Sequence, residues 1–462
     1  MRIAVVGQGR IGVIGAVALA ERGHRVTGVE RDPVRLGSLA AGRAPVAEPG
    51  LQCQLSHALE SGRLRFAQEI VPSHRRDPYD LVMIAVGTPP NADGSADLSQ
   101  VTEALDEVAA LLPLPCVVLK STVPPGTSDR LIGAHPRLRE RYACNPEFLN
   151  EGSALDDWRA PARVVVGIWS QEVLPVLRRM YQGPMCPWVV TTPASAEMAK
   201  YASNAFLAMK TGFANEIARL CTGAEFSVDD VLRGVGCDAR IGHALLRPGL
   251  GFGDFCLPKD TAALARWVAE SGGRAPLLEA AIEINSTQSG LVTETLYREL
   301  PGELDQAEIA VLGVHHQPWN GDLRAAPSRA VIPRLLAAAA RVRVWDPAVG
   351  ADQLTRLFPG AIPAPDLRAA VAGAHAAVVL TEWPEIVEAD WRELAARLAR
   401  PRVVVDGKNC LRTEELAGLP LLYRSVGHRP CTAAPVAYEV RGRQPARSAA
   451  YEVRGTQPVP SV

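Results

Sequence analysis

The stretch that most constrains this chain lies at its start. A short apolar run, Arg2 to Val6, leads into Gly7-Gln8-Gly9-Arg10-Ile11-Gly12, then into a helical pattern, Val13 to Arg22, and a second apolar run, His24 to Val29, that ends in Glu30. Strand, spaced glycines, helix, strand and acid in this order predict a parallel βαβ unit that binds a dinucleotide. Gly7 makes the tight turn and Gly9 lets the backbone approach a pyrophosphate. Gly12 lets helix and strand pack, and with Ile11 it opens the helix whose N-terminus takes the phosphates. Glu30 is placed to bind the ribose hydroxyls and repels the extra phosphate of NADP, so NAD is the expected cofactor, with Arg31 and Arg35 as opposing charges nearby.

A chain of 462 residues exceeds one ordinary core and predicts two or three domains. Apolar runs at Leu81 to Val86, Cys116 to Leu119 and Val164 to Ile168 extend the first sheet as further parallel strands. The loops that follow strands hold ligands in such sheets, which singles out Gly87-Thr88-Pro89-Pro90, Ser121 to Thr127 and Asn145 to Gly152. In the last loop Glu147 and Glu151 are four apart. They share a face if the loop is helical, either as paired carboxylates or as plain acids at a helix start.

Ser195 to about Leu220 reads as one long helix with an apolar stripe of Ala199, Ala202, Phe206, Met209 and Phe213. Lys200 and Asn204 share a face of it, a pair that suits a developing oxyanion or simply a solvated surface. Asp229 to Gly234 is helical, and helices run on to about Glu299. Pro301 to Asp305 is the expected linker to a second alternating pattern. That pattern has strands at Glu308 to Leu312, Arg341 to Trp345, Ala376 to Leu380 and Arg402 to Val405, and a helix from Ser328 to Ala340. Without a glycine fingerprint it suits a nucleotide or substrate better than a second dinucleotide. After Arg429 the nine residues from Ala437 to Pro445 recur, with one change, from Ala450 to Pro458. Two short polar copies make no core, so this tail is expected to be disordered.

Between the two patterns, Gly249 to Thr261 places three glycines in five residues ahead of Cys256, Lys259 and Asp260. Glycines allow close approach to a ligand, and a cysteine beside a lysine can ionise more easily and attack an aldehyde or acyl carbon. A lone cysteine is more often a small buried hydrophobe.

A net charge of −1 gives no reason to expect nucleic acid or an anionic membrane as partner. No run of 18 apolar residues occurs, and a strand pattern begins within two residues of Met1 in place of a charged leader, so a cytoplasmic protein is expected. The nine cysteines contain no Cys-x-x-Cys pair, which argues against a disulfide framework and a zinc site and predicts mostly reduced, packed thiols.

Together these stretches resemble the nucleotide-sugar 6-dehydrogenase family, most closely its UDP-glucose 6-dehydrogenase branch, over about residues 1 to 428. The resemblance is carried by Gly7 to Gly12, Glu48-Pro49-Gly50-Leu51, Ala85 to Pro89, Lys120 to Pro124, Asn145 to Gly152, Glu197 to Phe206 and Gly249 to Asp260. It implies an α/β fold of two Rossmann-like doubly wound domains joined by a long central helix that dimerises. The expected divisions are an NAD-binding domain at 1–195, a helical region with the cysteine loop at 196–300, a nucleotide-sugar domain at 301–428 and a tail at 429–462.

The resemblance also implies that a sugar C6 alcohol is oxidised to a carboxylate with two NAD. Cys256 would carry a thiohemiacetal and then a thioester, Lys200 and Asn204 would stabilise oxyanions, and Glu151 or Asp260 would activate water placed by Thr122. Gly7, Gly9, Ile11, Gly12, Glu30, Arg35, Thr88, Thr122, Glu151, Lys259 and Arg324 would hold NAD. Glu147, Phe148, Leu149, Lys200, Asn204, Leu245, Gly249, Gly253 and Gln317 would line the sugar nucleotide, and Arg240 would reach the site of a neighbouring subunit.

The sequence departs from the family pattern at four places. Asp254-Phe255 replaces Gly-Ser before the thiol, His316-Gln317-Pro318 replaces Phe-Lys-Pro, Gly321-Asp322 replaces paired aspartates, and Asp406-Gly407-Lys408 replaces Asp-Gly-Arg. These leave an altered nucleotide such as dTDP open, and within the same fold GDP-mannose and UDP-N-acetylhexosamine dehydrogenases are the near alternatives. A two-electron β-hydroxyacid dehydrogenase, which has no use for the thiol, and a weakly catalytic binding homologue are the competing readings.

Overall fold

The computed structural model describes residues 1–70, 77–182, 185–222, 226–253, 256–302, 304–318, 323–324, 326–339 and 341–428. The repeated tail, Asp254, Phe255, Gly321 and Asp322, on which expectations were placed, lie outside the described residues.

The first sheet has eight strands: β1 (Arg2–Val6), β2 (Arg25–Val29), β3 (Leu64–Ala67), β4 (Leu81–Ile84), β5 (Cys116–Leu119), β6 (Tyr142–Cys144), β7 (Val164–Ile168) and β8 (Trp188–Thr191). Their order is β3-β2-β1-β4-β5-β6-β7-β8. Alternate residues of β1 face opposite layers. Ile3 and Val5 pack with Val13, Ile14 and Val17 of helix α1 (Arg10–Glu21), whereas Ala4 and Val6 pack with Val101, Leu105 and Val108 on the other side. Burial on both faces explains why β1, β4, β5 and β7 are continuous apolar runs.

The expectation that Val164 to Ile168 continues a parallel sheet is corrected. β7 runs antiparallel to β6, because the intervening segment turns back at the carboxyl edge and does not cross beneath the sheet. β3, β6 and β8 were not anticipated, being short or half polar.

The central helix α2 (Pro193–Thr222) is 30 residues long, roughly 45 Å at 1.5 Å per residue. Its buried face is not its apolar stripe. Lys200, Tyr201, Asn204, Ala205, Ala208, Ala214 and Asn215 are buried, whereas Ala202 is exposed, Phe206 is 63% exposed and Phe213 46%. Small side chains let neighbouring helices come close, as where Gly212 faces Ala281, and the large apolar ones are left outside. Helices α3 (Val228–Gly236), α4 (Cys256–Glu270) and α5 (Pro276–Gln288) follow, and α4 and α5 pack on α2.

The second sheet is parallel throughout, in the order β11-β10-β9-β12-β13-β14, from β9 (Glu308–Leu312), β10 (Arg341–Trp345), β11 (Ile362–Pro363), β12 (Ala376–Val379), β13 (Val403–Asp406) and β14 (Leu422–Ser425). Leu300 and Leu304, at the expected linker, are buried in its core. Among the described residues no helix is long and apolar enough to cross a membrane and no group of three potential ligands suits a metal ion. Eight described cysteines are free: Cys116, Cys144 and Cys221 are buried, whereas Cys53, Cys237 and Cys256 are exposed, so packing is less general than expected.

Candidate active site

At the end of β1 the chain turns through Gly7 at φ +86°, where a Cβ would lie 2.8 Å from the Ala85 carbonyl oxygen. A Cβ on Gly12 would lie 1.8 Å from the Gly7 oxygen, whereas one on Gly9 meets nothing within 4 Å. Packing therefore forces the first and third glycines, and the middle one faces open space. That open face at a helix N-terminus, with a carboxylate at the end of β2, is the arrangement a dinucleotide needs.

Glu30 is buried. Its oxygens accept from the Gln8 N–H at 3.2 Å and the Asp32 N–H at 3.0 Å, and Arg35 pairs with it at 3.0 Å. Arg31, the other cation weighed against NAD preference, is drawn off to Glu103 and Glu107.

Gly7, Gly9, Ile11, Glu30 and Arg35 line a cavity of about 460 Å³. Thr88, Thr122, Glu151 and Arg324 line it too, and so do Cys256, Lys259 and Asp260. Two loop ends are tied together there: the Thr88 hydroxyl donates to the Thr122 carbonyl at 2.9 Å and Ser121 to the Val86 carbonyl at 2.8 Å.

The thiol stands at the first residue of α4. The loop before it is held by amides that sequence reading missed. Asn215 of α2 accepts from the Gly249 N–H at 2.8 Å, Gln288 of α5 donates to the Gly249 carbonyl at 2.7 Å, and Asn285 grips both backbone groups of Phe252. Gly253 packs so close to His316 that a Cβ would lie 2.3 Å from the ring nitrogen. A signal was available only for Asn215, an amide on the same buried helix face as Lys200 and Asn204.

Cys256 is open to the cavity by its accessible surface, yet protein atoms crowd its sulfur. Burial, then Asp260 and Glu147, push the thiol up to about 12, with Lys200 and Lys259 pulling the other way. The lysines act in the expected direction, but burial and the two carboxylates outweigh them: Lys259 is bound at 2.5 Å to Asp260, whose second oxygen accepts from Asn204 at 2.6 Å.

The loop from Asn145 is not helical, so Glu147 and Glu151 do not share a helix face. Glu147 turns inward to Lys200 at 3.0 Å and accepts from the Leu149 N–H at 2.6 Å, while Glu151 meets Arg10 at 3.5 Å. Behind them Glu147, Phe148, Leu149, Lys200 and Asn204 line a second cavity of about 190 Å³. Glu147 thus borders both spaces, as does the buried Lys120, which donates to Asn145 at 3.0 Å and Tyr181 at 2.8 Å.

The remaining expected residues line neither cavity. Arg240 is exposed and paired with Asp238, Leu245 has φ +59° and accepts from Thr211, and Gln317 is half-buried. A third hollow of about 230 Å³ lies where Arg247 and Pro248 meet Lys408 and Asn409.

Residues 1–184 match the NAD binding domain of the UDP-glucose/GDP-mannose dehydrogenase family, 194–287 its central domain and 310–413 its UDP binding domain. A UDP-glucose 6-dehydrogenase of Pseudomonas aeruginosa is 37% identical over 449 residues, covering 92% of this chain and 97% of that protein. One of Rhizobium meliloti is 37% identical over 438 residues, covering 92% and 99%. The solved UDP-glucose dehydrogenase of the hyperthermophilic archaeon Pyrobaculum islandicum superposes with a TM-score of 0.82 at 35% identity, covering 92% of this chain and 97% of that one.

Proposed function

This chain belongs to the UDP-glucose/GDP-mannose dehydrogenase family, and we propose on that premise that it oxidises the C6 alcohol of a nucleotide-diphosphate hexose, UDP-glucose first, to the carboxylate. The observation that carries this reading is one cavity that joins the dinucleotide turn at Gly7 and Gly9 to Cys256 and Asp260. A thiol is superfluous for oxidising an alcohol to a carbonyl, and it is what a second oxidation at the same carbon needs.

Bound NAD supplies the hydride acceptor for each oxidation. Lys200 and the Asn204 amide stand on one buried face of α2 and offer N–H donors to oxygen at the reacting carbon. The Cys256 sulfur adds to the aldehyde carbon while the thiol proton passes to the carbonyl oxygen, giving a thiohemiacetal and, after the second oxidation, a thioester. Water adds to the thioester carbonyl, the carbon–sulfur bond breaks and the thiol is restored. Overall one alcohol, two NAD and one water give one carboxylate, two NADH and three protons.

Asp260 is 1% exposed with both oxygens engaged, which favours Glu151 as the base for that water. The chain is further read as a homodimer through α2, supported by the exposed Phe206, Phe213 and Leu220, which recur at heptad spacing on one helix. Sedimentation of Phe213→Asp beside the wild type tests this, a lighter variant being expected.

The deciding experiment supplies NAD with UDP-glucose, dTDP-glucose or GDP-mannose in turn and counts NADH per sugar, with Cys256→Ala alongside. Two NADH per sugar from one donor, abolished in the variant, is the expected result. One NADH per sugar would mean a two-electron enzyme, and none from any donor a binding homologue.

A further inference from the structure

We propose that Arg10 is a positioning residue for Glu151, holding that carboxylate in place for the hydrolysis of the Cys256 acyl group. The inference rests on the role given above to Glu151 and extends it to a residue of the dinucleotide turn.

Arg10 is the first residue of α1, between Gly9 and Ile11. Its Nη1 lies 3.2 Å from an oxygen of Glu48 and its Nε 3.5 Å from an oxygen of Glu151. Two edges of one rigid guanidinium are thus spent on two carboxylates. Glu48 in turn accepts from the Gly152 N–H at 3.1 Å and the Ala154 N–H at 2.8 Å. The loop that carries Glu151 is therefore pinned just past that residue by Glu48, and the Glu151 side chain is held by the same arginine that Glu48 binds.

This gives a purpose to the Glu48-Pro49-Gly50-Leu51 motif, none of whose residues lines the cavity that holds Cys256. The Glu48 side chain is 1% exposed, Arg10 18% and Glu151 25%, so the buried acid is the anchor and the pair at the cavity wall is what it orients. Arginine keeps its charge at any working pH and its planar fork fixes direction as well as distance, which lysine does not match.

In the step concerned, the water oxygen bonds to the thioester carbon, its proton moves to Glu151, and the carbon–sulfur bond breaks with the electron pair leaving on Cys256. A base displaced by about 1 Å costs on the order of a hundredfold in rate.

The test has two arms. In the ligand-free protein, thermal midpoints of Arg10→Met, Glu151→Gln and the double variant form a cycle. The double variant is expected to lose less than the sum of the singles, and strict additivity overturns the pairing whatever the enzyme's activity.

In the second arm the wild type and Arg10→Met turn over UDP-glucose and NAD, and intact-protein mass spectrometry follows the acyl group on Cys256. Arg10→Met should lose roughly tenfold or more in kcat and accumulate the acyl-enzyme, with Arg10→Lys in between. A raised KM for NAD with unchanged kcat and no acyl-enzyme would make Arg10 a cofactor contact only and overturn the proposal. If the wild type itself makes no NADH, the functional reading fails, and the thermal cycle still decides whether Arg10 holds Glu151.

Discussion

The Lys200 ammonium lies 3.0 Å from a carboxylate oxygen of Glu147, and neither side chain is more than 8% exposed. Burial is the largest influence on both and opposes both charges. Lys200 and the Leu149 N–H nevertheless hold Glu147 below its ordinary 4.5, and Glu147 with Asp260 holds Lys200 above 10.5. Each group thus keeps the other ionised beside the thiol.

Breaking this pair should be costly, since one buried charge left alone costs about 3–5 kcal/mol. Glu147→Gln is expected to lower stability at pH 7 by an amount of that order. The folded pKa of Glu147 is depressed, so its contribution is present above 4.5 and lost as pH falls through the folded value. The gap between wild type and variant should therefore narrow in acid, as read by denaturant unfolding at pH 7 and below pH 4. A gap that stays constant would show that the charge is not what stabilises.

The Cys256 thiol gives a second expectation. With the thiol pushed up to about 12, alkylation by iodoacetamide in the ligand-free protein should be slow at pH 7 and rise roughly tenfold per pH unit as the thiolate fraction grows. Asp260 is the strongest charge acting to raise it, after burial. Asp260→Asn should therefore speed alkylation at pH 8, and Lys200→Met should slow it, as followed by mass spectrometry of the Cys256 peptide. Equal rates in all three proteins would remove these charges from any control of the nucleophile.

What sequence could reveal follows from the range of each signal. β1, β5 and β9 were legible because burial on both faces makes continuous apolar runs, and β10 because Arg341 and Arg343 alternate with buried valines. The three residues of β6 carry no period at all. The stripe on α2 was legible but not what covers it, because periodicity reports that a face is apolar without saying whether its own chain packs on it. Phe206 and Phe213 are the result. In the site, Gly7 to Gly12, Glu30, Cys256 and Asp260 sit in local motifs and were found. Asn285 and Gln288 act on loop backbone tens of residues away through one or two hydrogen bonds each, and no local pattern marks them; Arg10 sits inside the glycine motif, yet nothing local reveals its pairing with Glu48 and Glu151.

Cofactor choice should follow Glu30. Its oxygens already accept from two backbone N–H groups and face Arg35, so the carboxylate is fixed and a 2′-phosphate beside it is repelled. Glu30→Ser should raise the ratio of kcat/KM for NADP over NAD by about tenfold or more, the effect of roughly 1.4 kcal/mol. An unchanged ratio would place the discrimination elsewhere in the cavity.

His428 supplies a pH-dependent expectation at the far end of the fold. Its Nε2 lies 2.9 Å from Asp229 of α3 and its Nδ1 2.9 Å from the Ser425 hydroxyl at the end of β14. The adjoining Gly427 packs on α2, where a Cβ would lie 2.7 Å from that of Ala218, so the pair fastens the second sheet to the helical region. Asp229, acting against burial, raises the His428 pKa above its ordinary 6.5. A raised folded value means the contribution is fully present below 6.5 and is lost as pH rises through the folded pKa. The Asp229 side chain is 66% exposed, and solvent screening should hold the effect to about 1 kcal/mol or less. His428→Asn is therefore expected to destabilise the protein modestly at pH 6 and less at pH 8.5, measured by unfolding in denaturant at both. A cost that is the same at both pH values would assign it to lost packing and hydrogen bonding and leave the charged pair no part in it.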